Sequence, residues 1–314
     1  MKPNVLVICG PTASGKTALA AALARRFDGE VVSADSMQVY RGMDIGTAKP
    51  TPEEMGGIPH HMIDVADPEE SYSVARYVAQ AVPIVDGLLA RGKLPIIAGG
   101  TGLYIDNLIA GRQFAPFPGQ DGLRRQLQQR AESEGLPALL SQLAQVDPQS
   151  AARLHPNDAK RIIRALEVYL ATGKTISQHN LDTQVLPRRY TPLTLALNFR
   201  ERSALWARID RRVDEMMERG LEGEVRRLLA AGISPQCTAM QAIGYKEIAA
   251  AIREGRDMED GAQEVKLRSR QYAKRQLTWF RRNRDAHWFL WEADPDFSSA
   301  LAFSTELILD SGLQ

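Results

Sequence analysis

One octapeptide constrains this chain more than any other feature. Gly10-Pro11-Thr12-Ala13-Ser14-Gly15-Lys16-Thr17 satisfies the pattern G-x-x-x-x-G-K-[S/T] in full. It follows the apolar run 4–9 (NVLVIC) and opens the helix-forming run 17–26 (TALAAALARR). Strand, glycine-rich loop and helix in that order predict a backbone curl whose N–H groups converge on phosphate oxygens. The helix N-terminus adds partial positive charge and Lys16 adds a full one. Thr17 is placed to ligate a magnesium ion. These features predict a polyphosphate site and leave open which polyphosphate fills it.

The alternation continues downstream. Residues 30–34 (EVVSA) read as a second strand ending at Asp35. A helical stretch over 73–90 precedes a third strand, 93–98 (KLPIIA), which ends in Gly99-Gly100-Thr101-Gly102. Residues 191–198 (TPLTLALN) read as a later strand of the same sheet. Strands alternating with helices predict a parallel sheet covered on both faces. The texture changes at the Pro-rich break 114–119 (FAPFPG). From Leu123 to about Ala171 the pattern is helical, and this segment closes near Leu186-Pro187. The chain is again mostly helical beyond Glu201. The expected fold class is α/β: a P-loop NTPase-like parallel sheet flanked by helices, with an all-helical insertion. The sheet domain is expected over 1–113 and 188–314, and the insertion over 114–187.

Composition narrows the function classes. The chain has 314 residues, 44% of them hydrophobic, enough for a sizeable core and too apolar for disorder. No apolar run approaches the ~20 residues of a membrane span. The N-terminus lacks the long apolar stretch of a signal peptide, so a cytoplasmic protein is expected. Cys9 and Cys237 stand far apart, and His60-His61 are adjacent; neither spacing suits a disulfide framework or a metal site. Net charge is +1, yet residues 266–284 hold eight basic residues and no acid. That is the footprint of a phosphate-rich partner. The Asn-Lys-x-Asp and Asp-x-x-Gly motifs of switch GTPases are missing from the sequence. The third strand ends in Gly99-Gly100, where a Walker-B strand would end in an acid. Small kinases and group-transfer enzymes remain.

Two polar residues mark the carboxyl ends of strands, the edge where open parallel sheets bind ligands. Asp35 is a candidate general base or metal ligand there, and it also suits a helix N-cap. Thr101 could orient a substrate or cap the helix that follows it.

Longer combinations surround these residues. They are Ser33-Ala34-Asp35-Ser36-Met37-Gln38-Val39-Tyr40, Gly42-Met43-Asp44-Ile45-Gly46-Thr47-Ala48-Lys49-Pro50 and Gly99-Gly100-Thr101-Gly102-Leu103-Tyr104. Further along stand His155-Pro156-Asn157-Asp158, RIIRALE at 161–167, Ala242-Ile243-Gly244-Tyr245 and AKRQLTWF at 273–280. With the octapeptide and in this order, the chain resembles the bacterial tRNA dimethylallyltransferase (tRNA isopentenyltransferase) family.

The resemblance implies transfer of a dimethylallyl group from dimethylallyl diphosphate to N6 of the adenosine just 3′ of the anticodon in tRNA, with release of diphosphate. Residues 10–17 then cradle a diphosphate, despite their likeness to ATP-binding loops, and Mg2+ is the implied cofactor. Asp35 would be the base, Thr101 would hydrogen-bond near the reacting amine, and Lys16 would stabilise the departing anion. Arg208 or Arg212 would add a diphosphate contact. The family suggests a monomer.

The tRNA anticodon stem-loop is expected to meet Asp35, Ser36, Met37, Gln38 and Thr101, together with Gly244 and Tyr245. In the 266–284 stripe, Lys274, Arg275, Gln276, Trp279, Arg281 and Arg282 are the expected contacts. Basic groups there neutralise phosphates, and Tyr272, Trp279 and Phe280 either stack on bases or fill the core. Within the insertion, Ile162, Leu166, Tyr169 and Leu170 are expected to form a buried stripe. That leaves Lys160, Arg161 and Arg164 free to meet RNA.

Two other readings share parts of this pattern. An isopentenyltransferase acting on free adenine nucleotides shares the catalytic half but has no need of the basic stripe. An ATP-dependent small-molecule kinase shares the loop and sheet, with the insertion as a lid.

Overall fold

The short apolar runs and the Ala- and Leu-rich runs separate into strands and helices in the computed structural model, which describes residues 4–112, 121–184 and 187–313. The Pro-rich break at 114–119 and Leu186 lie outside the described residues. In chain order, β1 (Val5–Cys9), α1 (Lys16–Arg26), β2 (Gly29–Ser33), α2 (Pro52–Met55), β3 (His60–His61), α3 (Val74–Ala90), β4 (Leu94–Gly99) and α4 (Gly102–Ala110) come first. Then come α5 (Asp121–Ser133), α6 (Leu136–Val146), α7 (Pro148–Arg153), α8 (Ala159–Thr172) and α9 (Ile176–Gln184). The chain ends with β5 (Pro192–Phe199), α10 (Arg202–Glu218), α11 (Leu221–Ala230), α12 (Tyr245–Glu254), α13 (Met258–Phe280), β6 (His287–Trp291) and α14 (Phe297–Ser311). The chain divides into two compact units, Met1–Gly111 with Arg189–Gln314, and Arg112–Arg188.

The first unit holds a six-stranded sheet in the order β3-β2-β4-β1-β5-β6. Every pairing is parallel, and Leu6 of β1 sits between Ile96 and Leu193. The pleat sends alternate β1 residues to opposite faces. Val5, Val7 and Cys9 join one apolar cluster with Tyr77 and Tyr245, while Leu6 and Ile8 join another with Leu19 and Trp291. Burial on both faces is why these strands read as unbroken apolar runs. From β1 the chain crosses β4 to reach β2, and from β4 it crosses β1 to reach β5. The carboxyl ends of β1 and β4 therefore lie at a topological switch point, where such sheets bind ligands.

Two strands lie beyond the sequence reading. β3 is only two residues long and pairs with Val31 and Val32. His61 on it contacts Glu30 at 2.7 Å, a local structural role for that histidine. β6 (HWFLW) falls in a stretch expected to be mostly helical. Its aromatic side chains fit a pleated surface, and it pairs along β5.

The second unit is helical throughout its described residues, with a core of Leu127, Leu139, Leu143, Ile162 and Leu166. Its α8 stripe differs from expectation at one end. Leu170, in the last turn before the Gly173 cap, is 46% exposed, while Ile163 and Ala165 are buried. Among the described residues no helix is long and apolar enough to cross a membrane.

Candidate active site

The loop between β1 and α1 is shaped by backbone that favours glycine. Gly10 has φ 150°, and a Cβ there would lie 2.5 Å from the Leu197 carbonyl oxygen. Gly15, with φ 81°, precedes α1 and gives it no capping side chain. The first N–H groups of α1 are thus left without a side-chain acceptor, the arrangement that binds anions. Ser14 Oγ is buried with no hydrogen-bond partner. An unmet hydroxyl costs about 1–3 kcal/mol, which a phosphate oxygen would relieve. Lys16 Nζ donates to the Pro11 carbonyl at 2.6 Å. Burial, reinforced by the nearby Arg212, pushes the Lys16 ammonium down to about 8, against the opposing pull of Asp35.

Three side chains from distant sequence hold this loop from outside. Trp291 Nε1, on β6, donates to the Ser14 carbonyl at 2.9 Å. Arg208 Nε, on α10, donates to the Ala13 carbonyl at 3.2 Å. Gln276 on α13 accepts from Thr12 N at 2.9 Å and donates from Nε2 to the Gly100 carbonyl at 3.0 Å. Gln276 therefore ties the phosphate loop to the turn after β4.

Asp35 follows β2 on the same edge. Its Oδ1 accepts from Met37 N at 2.9 Å and Gln38 N at 3.4 Å. This is the local bonding of an Asx turn, with no helix behind it. Thr101 stands at the cap position of α4 but makes no capping hydrogen bond. Its hydroxyl instead accepts from Ser36 N at 3.0 Å and donates to Ser36 Oγ at 3.3 Å. Tyr272 lies beside Thr101 and Gln276, and burial pushes its phenol up to about 12. Thr101 thus joins the turns after β2 and β4.

The phosphate loop, Asp35, Ser36, Tyr272 and Gln276 open onto one cleft of about 650 Å³, and Thr101 is tied to that lining through Ser36. Lys16 and Thr17 line one side, Asp35 and Gln38 another, and Arg208 and Arg212 both reach it from α10. The cleft can hold an anion against the loop and place the Asp35 carboxylate beside whatever that anion is attached to. Among the described residues no cluster of three His, Cys, Asp or Glu could hold a metal.

The basic stripe divides in two. On α13, Lys266 pairs with Asp214 at 2.5 Å and Arg270 with Asp210 at 2.9 Å, both acids on α10. Arg268 pairs with Glu264 at 3.3 Å. Lys274, Arg275, Arg281, Arg282 and Arg284 are exposed, and among the described residues they have no ion pair. Arg282 stacks 5.2 Å over the Trp279 ring, whose Nε1 donates to Asp106 at 2.9 Å. Phe280 is buried in the core.

Three expected tRNA contacts lie at buried positions. Tyr245 is 0% exposed, Gly244 is buried beneath the start of α12, and Gln276 is buried against the phosphate loop. Gln276 still lines the cleft. In the second unit Lys160 is exposed, Arg161 pairs with Asp158 at 3.0 Å, and Arg164 pairs with the buried Glu167 at 2.8 Å. Sequence reasoning missed Trp291 and the buttressing role of Tyr272. The alternating aromatics of HWFLW were the available signal for the first.

Known proteins resemble this chain over most of its length. A family model described as IPP transferase matches residues 38–283, and one described as isopentenyl transferase matches residues 3–67. The tRNA dimethylallyltransferase of Geobacter sulfurreducens is 48% identical over 302 residues, 96% of each chain. That of Caldanaerobacter subterraneus is 47% identical over 290 residues, 92% of each. The crystal structure of the Bacillus halodurans tRNA isopentenylpyrophosphate transferase is 42% identical with a TM-score of 0.73, covering 99% of this chain and 97% of that one. A eukaryotic dimethylallyltransferase solved acting on tRNA is 30% identical with a TM-score of 0.79, covering 99% of this chain and 80% of its own. A cleft with a phosphate loop on one wall and Asp35 on another, in a chain matched over nearly its whole length, places this protein in the IPP transferase family, among the tRNA dimethylallyltransferases.

Proposed function

We propose that this protein transfers the dimethylallyl group of dimethylallyl diphosphate to N6 of the adenosine 3′-adjacent to the anticodon in tRNA. The observation that carries the reading is the meeting of an anion cradle and the Asp35 carboxylate in one cleft, with Thr101 bonded to the neighbouring Ser36. The donor's diphosphate lies on the α1 N-terminus and Lys16, with Arg208 and Arg212 closing over it. Adenine N6 attacks the donor's C1, the C1–O bond breaks, and its electron pair leaves with diphosphate. N6 is a weak nucleophile because its lone pair is conjugated with the ring, so its proton must go as the new bond forms. Asp35 takes that proton, while Thr101 orients the amine.

The residues fit a magnesium ion carried by the substrate. Thr17 supplies one hydroxyl, and such ions bind through one or two protein oxygens plus phosphate oxygens and water. When bound, Mg2+ would neutralise charge on the departing diphosphate. The target base leaves the anticodon-loop stack to reach the cleft. Lys274, Arg275, Arg281 and Arg282 hold the RNA backbone outside it.

Incubation with unmodified tRNA, dimethylallyl diphosphate and Mg2+, followed by mass analysis of the nucleosides, tests this reading. Prenylated adenosine is expected. Modification of free adenine nucleotides but not of tRNA would overturn it.

A further inference from the structure

Glu224, on α11, is 1% exposed and lies outside the cleft, yet it carries an unusual set of partners. Its Oε2 accepts from Asp44 N and Ile45 N, both at 3.1 Å. Its Oε1 accepts from Ile45 N at 3.0 Å, Gly46 N at 3.3 Å and the Tyr245 hydroxyl at 2.5 Å. Consecutive backbone N–H groups converge on one carboxylate, as they do in anion-binding nests. The turn is also pressed against the ring: a Cβ on Gly46 would lie 2.5 Å from Tyr245 Cε2 and 2.9 Å from Leu221 Cδ1.

The residues just beyond this turn face the cleft. Gln38 Nε2 donates to the Thr47 carbonyl at 3.4 Å and the Ala48 carbonyl at 3.2 Å. Arg212 Nη2 reaches the Ala48 carbonyl at 3.5 Å. Lys49, itself buried, donates to the Tyr40 carbonyl at 2.9 Å and pairs with Asp44 and Asp64. Gln38 and Arg212 both line the cleft, alongside Gly46, Thr47, Ala48 and Lys49.

Burying a carboxylate is costly, and an apolar side chain of similar size could fill the same volume. What an apolar residue could not do is fix successive backbone N–H groups in place. We infer that Glu224 and Tyr245 are a positioning pair for the active site. They pin the turn 44–46 so that the Thr47 and Ala48 carbonyls hold Gln38 and Arg212 in working geometry. Neither residue touches substrate. The inference rests on the proposed function, because Arg212 matters there as a diphosphate ligand.

The test uses the full chain as wild type, Glu224→Gln and Tyr245→Phe. Amide hydrogen exchange reads the turn directly. Donor KM, single-turnover rate and tRNA affinity are measured in parallel. In Glu224→Gln, exchange at Asp44, Ile45 and Gly46 should rise about tenfold or more, the scale of losing hydrogen bonds to a charged group. Donor KM should rise about tenfold as well, with tRNA affinity held within about twofold. Tyr245→Phe removes one hydroxyl and should give about a threefold change in the same direction. A double-mutant cycle with Gln38→Ala should be sub-additive, because both changes release the same carbonyls.

Faster exchange with unchanged donor KM would overturn the inference. So would full additivity with Gln38→Ala, or a loss shared equally by tRNA affinity. If Glu224→Gln does not fold, Tyr245→Phe decides: unchanged exchange and unchanged donor KM refute the pair. A wild-type protein that transfers nothing would instead sink the proposed function, while exchange at 44–46 still tests the pinning.

Discussion

Two regions of the sheet-bearing unit present positive charge, and they are built in opposite ways. The phosphate loop is concave, with one lysine, bare helix N–H groups and a buried unmet hydroxyl, all held from outside by Trp291, Arg208 and Gln276. Along the C-terminal part of α13 and just beyond it, Lys274, Arg275, Arg281, Arg282 and Arg284 stand in solvent. A desolvated cation acts strongly on one small anion in one geometry. Exposed cations act weakly, additively and under salt screening, which suits a long phosphate backbone. The number of basic letters says little about which regime a residue belongs to. Lys266 and Arg270 belong to neither, because acids of α10 already neutralise them.

The contrast breaks first at the loop. Lys16→Ala should lower the transfer rate by about 10³-fold, the upper scale for removing a preorganised stabiliser of a departing anion. Donor binding should fall with it, because the charge acts on the ground state and the transition state alike. Asp35→Ala should lower the single-turnover rate by about 10²-fold and change tRNA binding less. A near-normal single-turnover rate in that variant removes Asp35 from the role of base.

The loop's chemistry also predicts a pH signature that the outer stripe lacks. Lys16 titrates at about 8 in the folded protein instead of the usual 10.5. Below pH 8 the empty cleft carries the ammonium; above it the charge is lost, and donor KM should climb by up to about tenfold per unit. In the window between the two values the unfolded chain binds more protons than the folded one. The Lys16 contribution to stability therefore rises with pH there, so weaker donor binding cannot be ascribed to unfolding through this group. A donor KM that stays flat from pH 7 to pH 9 would contradict the assignment.

How much of this was legible in the sequence depended on how local the cause was. The loop, Asp35, Thr101 and four of the six strands, β1, β2, β4 and β5, follow from neighbouring residues, and short-range pattern found them. β3 is too short to have a pattern and exists because Val31 and Val32 offer it an edge. Tyr245 and Gln276 carry motif letters that suggested RNA contact, and the structure adds that both are buried and bonded to distant parts of the chain. The helix face that a residue occupies is set by packing partners far away in sequence: Gln276 meets Thr12 across 264 residues. The pairing of Lys266 and Arg270 with α10 was hidden for the same reason. A stretch with no acid of its own was neutralised by acids from another helix.

The outer stripe supplies the smaller effects and the sharpest form of the comparison. Replacing Arg281, Arg282 and Arg284 together with Ala should weaken tRNA binding and reduce its salt dependence. Each lost phosphate contact takes about 0.7 to 0.9 from the slope of log K against log salt. Donor affinity should not change, because the donor lies in the loop. Replacing Lys266 and Arg270 with Ala removes two charges from α13 itself, against three just beyond its C-terminal end, yet it should leave the salt slope unchanged. Those two cations are already matched by Asp214 and Asp210, and the variant loses only pairs of modest worth, with a small drop in Tm. Titration of tRNA at several salt concentrations compares the two variants directly. Equal slopes in both would mean that net charge along α13, and not its unpaired portion, holds the RNA. A reduced slope confined to the Arg281, Arg282 and Arg284 variant places the phosphate contacts on the end of the helix that the ion pairs leave free.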